Sequence, residues 1–198
     1  MSMMFSDRPS PLAPVYAALA LSMLGGWALA SPSLASEADA FAQLLQTGSC
    51  PRCDLSGADL RRLDLSGANL EQADLTDANF YQANLDNADL SGANLQGAYL
   101  SSVSAIAANF NSAQLDQSIV YRADFTDASL YGTRFGNAFV EKTQFVNALM
   151  IGADLSNAVL VSVNFEGAIL CGAEIRYGDY RYECVPGASD GVEIDHSR

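Results

Sequence analysis

The strongest constraint on this chain is a set of large apolar residues that recur at every fifth position. The segment "DLSGANLEQADLTDANFYQANL", residues 64 to 85, places them at Leu65, Leu70, Leu75, Phe80 and Leu85. An α-helix repeats its faces every 3.6 residues and a strand every 2, so neither structure keeps such residues on one side. The spacing therefore predicts an architecture in which the chain changes direction once in every five residues.

This repeat runs without a slip from Leu55 to Ile175. Of its 25 large positions, 14 are Leu and six are Phe, and 18 of the residues two places earlier are Ala. If the chain turns through a quarter circle in each unit, the large and small residues point at a common axis, and coils of about 20 residues stack at the ~4.8 Å spacing of neighbouring strands. Turn-forming residues stand two places after the large one at Gly57, Gly67, Asp77, Asn87, Gly92 and Gly97.

The unit A-(D/N)-L-x-x resembles that of the pentapeptide-repeat family, and the resemblance covers residues 50–175. It implies an all-β solenoid, the right-handed quadrilateral β-helix of that family, with about six coils here. Ala105 stands at a position that is otherwise large, and Val103, two places earlier, stands at one that is otherwise small. We expect Val103 to fill the core volume that Ala105 leaves, with a local bulge as the alternative. The positions that lack the small Ala are Cys53, Leu63, Val103, Ser118, Thr133, Thr143 and Val163.

Both ends of a solenoid need covering, since an open coil exposes core side chains and unpaired backbone. Residues 36–49, "SEADAFAQLLQTGS", predict a short N-terminal capping helix that begins with a capping box at Ser36 and Asp39 and ends at Gly48. Its expected apolar face consists of Phe41, Leu44 and Leu45. Residues 176–198 are predicted to form a C-terminal cap and tail, with the first half over the last coil.

The first 35 residues differ in composition from the rest. An apolar run, Pro14 to Ala30, precedes small residues that end at Ala35, which predicts a signal peptide cleaved after Ala35. A retained membrane anchor is the alternative, because the run approaches the ~20 residues that a span needs. Without the leader we expect no membrane insertion. The predicted helix followed by C-x-x-C also resembles exported cyanobacterial pentapeptide-repeat proteins, which implies the periplasm or the thylakoid lumen.

The four cysteines form one pair at each end of the predicted solenoid. They are Cys50, Cys53, Cys171 and Cys184. About six coils, roughly 29 Å, separate the pairs, which excludes one zinc site built from all four. The prediction is two structural disulfides, Cys50–Cys53 and Cys171–Cys184, as suits an exported protein. Redox chemistry at the C-x-x-C and free thiols are the alternatives.

The sequence gives no indication of catalysis. Its single histidine, His196, excludes a histidine-based triad and a multi-histidine metal site. The Asp residues before the large positions should face solvent and bond nearby backbone. We therefore predict a non-enzyme without catalytic residues, metal or cofactor.

The net charge of −13 argues against direct binding to nucleic acid. Two classes of function remain, and the resemblance implies the second of them. The first is an exported binding or scaffolding protein. The alternative is a polyanion (DNA) mimic that modulates a topoisomerase or another nucleic-acid-binding protein. An export signal would separate the mimic from a topoisomerase, so the first class is favoured.

One wall of the predicted solenoid is apolar on its outside. Reading outward residues every 20 positions gives Tyr99, Ile119, Phe139 and Val159, with Tyr121 beside them. The adjoining wall is expected to carry Leu149 and Ile169. An apolar surface of this extent indicates an interaction site, either for an unknown protein partner or for self-association. The alternatives are that a terminal segment folds back over it or that the exposed apolar residues have no role.

Overall fold

The computed structural model describes residues 37–175 and has the chain coiled into a parallel β-helix. The chain divides into two units, Met1–Ser33 and Leu34–Arg198, and the described residues belong to the second. The residue before each large position pairs in parallel with the residue 20 places later. The first coil shows this with Asp54↔Asp74, Asp59↔Asn79, Asp64↔Asn84 and Asn69↔Asp89. Four such pairings in each 20 residues are what a four-sided coil requires; the square outline and the count of about six coils remain our interpretation.

Regular elements are few and short, because each wall contributes only one to three residues before the next turn. The helix α1 comprises Glu37–Thr47. The strands are β1 (Ile119–Tyr121), β2 (Phe139–Glu141), β3 (Asp154–Leu155), β4 (Val159–Val161) and β5 (Glu174–Ile175). They form two parallel sheets, β1-β2-β4 and β3-β5. Isolated bridges join most other coils.

The corners are tight turns, and the second of the two central residues of the turn has a left-handed backbone at every described corner except the one that contains Asn157. In the corner at residues 55–58, Ala58 N donates to Leu55 O at 3.1 Å, and Gly57 has φ of 69°. Positive φ also occurs at Asp77 and Asn87, as their residue types predicted. Arg62 and Gln72 adopt it as well, at 58° and 56°, although their side chains carry no turn signal.

The core contains the large and small inward residues of the repeat. Every large position from Leu55 to Leu155 is buried, and Leu160 and Ile175 are partly buried. Val103 and Ala105 are both buried, and Ala105 N donates to Asp124 O at 2.8 Å like its counterparts in other coils. The ladder is therefore continuous here, and the exchange of large and small residues occurs without a bulge.

One wall of the core is a ladder of phenylalanine rings. Phe125 and Phe145 stack at 5.2 Å between centroids with 15° between planes, and Phe145 and Phe165 stack at 5.4 Å and 8°. The coil length of 20 residues accounts for these contacts, since it brings every fourth large residue into register.

The helix α1 caps the first coil, as predicted, with one error in its buried face. Ala40 and Leu44 are buried and Phe41 is partly buried, but Leu45 is 53% exposed. Leu45 lies about 100° around the helix from the centre of that face, which is too far to reach the coil. Gly48 ends the helix with φ of 66° and donates from its N–H to Leu44 O at 2.8 Å. Ser36 lies outside the described residues.

The Cys50–Cys53 disulfide is present. Cys50 fills the large inward position of its unit and Cys53 a small one, so the bridge lies within the first coil, with Cys50 Sγ 3.3 Å from Ala40 O of α1. Cys171 is also disulfide-bonded. Cys184 lies outside the described residues, as do the predicted leader (1–35) and tail (176–198), so the Cys171–Cys184 pairing stays a prediction. Among residues 37–175, no helix is long and apolar enough to span a membrane.

Candidate interaction surface

The residues before the large positions form four outward rows along the solenoid. Two rows are polar throughout. One contains Asp54, Asp74, Asn94, Gln114, Arg134, Asp154 and Glu174, and the other contains Asp64, Asn84, Ser104, Asp124, Gln144 and Asn164. The remaining two rows begin polar and become apolar in later coils.

The polar rows stabilise the corners. Asp54 Oδ1 accepts from Ser56 Oγ at 2.6 Å and from Ser56 N at 3.1 Å, and these bonds lower the pKa of Asp54. Hydrogen bonds from Ser66 similarly lower the pKa of Asp64, to which Asn84 Nδ2 also donates at 3.2 Å. A carboxyl that acts as a general acid needs a raised pKa. These two carboxylates therefore act as hydrogen-bond acceptors for the turn backbone, as the sequence predicted.

The first apolar surface, which we call the Tyr99 patch, consists of Tyr99, Ile119, Phe139, Val159 and the neighbouring Tyr121. Its row residues pair in register as Tyr99↔Ile119, Ile119↔Phe139 and Phe139↔Val159. Their side chains therefore follow one another at the ~4.8 Å strand spacing. Tyr99, Phe139 and Val159 are exposed by 47%, 39% and 48%, and Ile119 is half-buried. Four members lie on strands of one parallel sheet: Ile119 and Tyr121 on β1, Phe139 on β2 and Val159 on β4.

Cations border the Tyr99 patch. Arg122 Cζ lies 5.1 Å from the centroid of the Tyr121 ring, and Lys142 Nζ lies 5.5 Å from it, within the range of cation–π attraction. Lys142 Nζ is also 3.0 Å from Glu141 Oε1, and this hydrogen bond raises the pKa of Lys142. Sequence reasoning missed this border. Its signal is that Arg122 and Lys142 both stand two places after a large residue, at the same corner in successive coils.

The second apolar surface, the Leu149 patch, consists of Leu149, Ile169, Tyr131 and Ile151. Leu149 pairs in register with Ile169, and all four side chains are exposed. Their position corrects the prediction of an adjoining wall. Phe139 and Leu149 are ten residues apart, which is half a coil, and the polar row of Asp124, Gln144 and Asn164 lies between them. The two patches are therefore separate surfaces.

A cavity of about 350 Å³ lies near the N-terminal coils and is lined by Asp59, Arg61, Arg62 and Tyr81. Arg61 Nε and Nη2 each donate to the Asp59 carboxylate at 2.6 Å, so these two charges are already paired. Within the described part of the chain, no group of three His, Cys, Asp or Glu residues could hold a metal ion.

Comparison with known proteins agrees with this geometry. The family described as "Pentapeptide repeats" matches in eight copies, over residues 53–92, 83–120, 108–143 and 141–176. No curated protein matches significantly.

Solved structures of the same kind match with low overall superposition. HetL, a pentapeptide repeat protein involved in heterocyst differentiation regulation from the cyanobacterium Nostoc sp. strain PCC 7120, is 28% identical over 65% of this chain, with a TM-score of 0.41. The match spans 66% of HetL. QnrB1, a plasmid-mediated fluoroquinolone resistance protein, is 21% identical over 67% of this chain and 77% of its own, with a TM-score of 0.33. A pentapeptide repeat protein from the Arabidopsis thaliana thylakoid lumen is 26% identical over 68% of this chain and 74% of its own, with a TM-score of 0.21.

The family match extends from residue 53 to residue 176, well over half of the sequence. It coincides with the coils that the parallel pairings define, and it begins where the Cys50–Cys53 disulfide closes the first turn. The chain belongs to the pentapeptide-repeat family, and its solenoid is the right-handed β-helix of that family.

Proposed function

We propose that this protein is a non-catalytic, exported binding scaffold and that the Tyr99 patch docks a protein partner. The observation that carries the proposal is the change of residue type within one row. Asp59 and Asn79 begin the row, and each accepts a hydrogen bond from the backbone two residues on, Arg61 N at 3.3 Å and Tyr81 N at 3.0 Å. Apolar side chains at the following members cannot accept this bond. A contact with another apolar surface would compensate for its loss.

The chemistry of the patch defines its partner. The centre is aromatic and aliphatic, and the border carries Arg122 together with the Lys142–Glu141 ion pair, in a chain whose net charge is −13. A matching surface has an apolar centre and an acidic rim. Tyr99, Tyr121 and Phe139 are the expected hot spots, because large aromatic side chains contribute most to such contacts. Self-association of this strongly acidic chain is the less favoured arrangement, since like charges repel.

The test is the double variant Ile119→Glu/Phe139→Glu, followed by sizing in solution and partner capture from the native compartment. Its matched control is Gln114→Glu/Gln144→Glu, which adds the same charge on polar rows of the same coils. We expect the parent and the control to keep the complex and the patch variant to lose it. Retention of the complex by a folded patch variant would contradict the proposal.

Export to the periplasm or the thylakoid lumen is part of this proposal. The apolar leader before Ala35 supports it, and so does the Cys50–Cys53 disulfide, since disulfides persist in oxidising compartments. Fractionation of native cells tests the location directly. A cytoplasmic pool of unprocessed protein would contradict export.

A second candidate is a polyanion mimic that modulates a topoisomerase or another nucleic-acid-binding protein. It is favoured by the net charge of −13 and by the two rows that present mainly Asp, Asn and Gln along the solenoid. A supercoiling assay with purified protein tests it, and inhibition that weakens with rising salt is the expected result. Unchanged topoisomerase activity at excess protein would rule this candidate out.

A further inference from the structure

The Leu149 patch has a feature that the Tyr99 patch lacks, which is a disulfide-bonded cysteine in register with two of its members. Cys171 follows Leu170 as Ile151 follows Met150 and as Tyr131 follows Leu130. Gly132 N donates to Ile151 O at 2.9 Å, and Gly152 N donates to Cys171 O at 2.8 Å. Tyr131, Ile151 and Cys171 therefore succeed one another in adjacent coils.

The disulfide at Cys171 ties a second piece of chain to this place. Cys171 is disulfide-bonded, and Cys50 and Cys53 are bonded to each other. Within one chain the remaining cysteine is Cys184. Because a disulfide holds its two Cα atoms within ~7 Å, residue 184 would lie at the edge of the patch.

The segment that follows the β-helix is long enough and apolar enough to cover the patch. The last strand ends at Ile175, four residues after Cys171, and residues 176–198 follow it. The patch lies within two coils of Cys171, or about 10 Å along the axis, whereas an extended chain spans ~3.3 Å per residue. The apolar side chains near the predicted bridge are Tyr177, Tyr180, Tyr182 and Val185.

We propose that residues 176–198 dock on the Leu149 patch, anchored by a disulfide between Cys171 and Cys184. The crosslink makes this contact intramolecular, so a modest apolar area is enough to hold it. The earlier members of the same row, Asn69, Asp89, Asn109 and Ser129, are polar, and the row becomes apolar only at Leu149 and Ile169, in the coils nearest Cys171. The inference goes beyond the proposed function, because it gives the two patches different occupants and leaves the Tyr99 patch open to a partner.

The test is hydrogen–deuterium exchange of the full, oxidised chain, read over residues 176–198. The variant Leu149→Asn/Ile169→Asn places in the patch the residue that the row itself has at Asn69 and Asn109. The matched control Ile119→Asn/Phe139→Asn makes the same change on the Tyr99 patch, whose row has Asn79. We expect amides near Tyr180 and Tyr182 to exchange about tenfold faster in the patch variant than in the parent, and at the parental rate in the control.

Three outcomes would overturn the proposal. One is exchange of the segment at the rate of an unstructured peptide in the parent. Another is an equal change in both double variants. The third is a covalent dimer through Cys171 under non-reducing conditions, which would make a second copy the occupant. Parental exchange in the N-terminal coils verifies that each variant is folded, and Cys171→Ser/Cys184→Ser releases the anchor without altering the patch, so it should also accelerate exchange in the segment.

Discussion

At the scale of single residues, hydrogen bonding explains how the small inward position accommodates Thr in place of Ala. Thr133 Oγ1 donates to Phe110 O at 2.8 Å, and Thr143 Oγ1 donates to Val120 O at 3.3 Å. Each hydroxyl thus uses a carbonyl of the preceding coil. Ser118 Oγ is equally buried but has no hydrogen-bond partner among the described residues. A buried hydroxyl without a partner destabilises the folded state.

We therefore predict opposite effects for the same change at two equivalent sites. Ser118→Ala should raise the free energy of unfolding by about 1 kcal/mol, because it removes the unpaired hydroxyl and restores the commonest residue of the repeat. Thr133→Ala should lower it by about 1 kcal/mol, because it removes a satisfied buried hydroxyl and a methyl group. Denaturant unfolding measures both. Destabilisation by Ser118→Ala would show that its hydroxyl is bonded.

The turn carboxylates predict a dependence of stability on acid. Hydrogen bonds from Ser56 and Ser66 lower the folded-state pKa of Asp54 and Asp64. A lowered folded pKa contributes stability that is fully present above the unfolded value of ~3.9 and is lost as the pH falls through the folded value. Asn at the equivalent position keeps the turn bond, as Asn79 does with Tyr81 N at 3.0 Å, and does not titrate in this range.

The variant Asp54→Asn/Asp64→Asn should therefore lose less stability than the parent between pH 7 and about pH 3. Denaturant unfolding at the two pH values measures the difference, with equal stability loss in parent and variant as the contradicting result. The polar row residue Gln114 supplies a control, since Gln114→Ala removes a side chain that does not titrate and should leave the pH dependence unchanged.

At the scale of elements, the stacked rings of the core make one prediction sharp. Phe145 is fully buried between Phe125 and Phe165, at 5.2 Å and 5.4 Å. Phe145→Ala should lower the free energy of unfolding by ~3–5 kcal/mol, through lost burial and the cavity left behind. Phe139→Ala is the control: its ring is exposed, so the expected change is below about 1 kcal/mol. Similar losses in the two variants would mean that the ladder contributes nothing specific.

The elements also show how far the sequence alone could go. The five-residue period is enough to identify the inward residues, the phenylalanine ladder and the outward rows, because the same period determines where the chain turns and which residues stack in successive coils. It did not reveal the left-handed corners at Arg62 and Gln72, since there the neighbouring coils impose the conformation on residues that do not prefer it. The predicted buried face of α1 was wrong at Leu45. Whether a residue at the edge of a short amphipathic pattern is buried depends on the surface against which the helix packs.

The candidate surface was predictable in its members and not in its arrangement. Tyr99, Phe139 and Val159 follow from the frame, and they are exposed as expected. Placing Leu149 on an adjoining wall was wrong, because rows ten residues apart are separated by half a coil. The border of Arg122 and Lys142 requires knowing how long side chains fold over Tyr121, which spacing does not give.

At the scale of the whole molecule, each coil is stabilised by its contacts with the neighbouring coils. The two end coils have only one neighbour each, so the segments that cover them contribute to stability as the interior contacts do. The helix α1 begins at Glu37, two residues after Ala35, and buries Ala40 and Leu44 over the first coil and its disulfide. Cleavage after Ala35 would therefore leave this cap whole. An uncapped first coil would expose Leu55 and its neighbours and unpaired backbone at the same end.

The last prediction combines processing with capping. The native protein should begin at Ser36, and intact-mass measurement from its own compartment tests this; a species that still carries residues 1–35 would favour a retained anchor. A chain that begins at Ser36 should need more denaturant to unfold than one that begins at Gly48, because the second lacks α1 and the apolar area that Ala40 and Leu44 bury. Substituting Leu44→Ala in the longer chain should reproduce part of that loss, ~2–5 kcal/mol, whereas Leu45→Ala, at an exposed site, should not. Equal stability of the two chain lengths would mean that the first coil is stable without its cap.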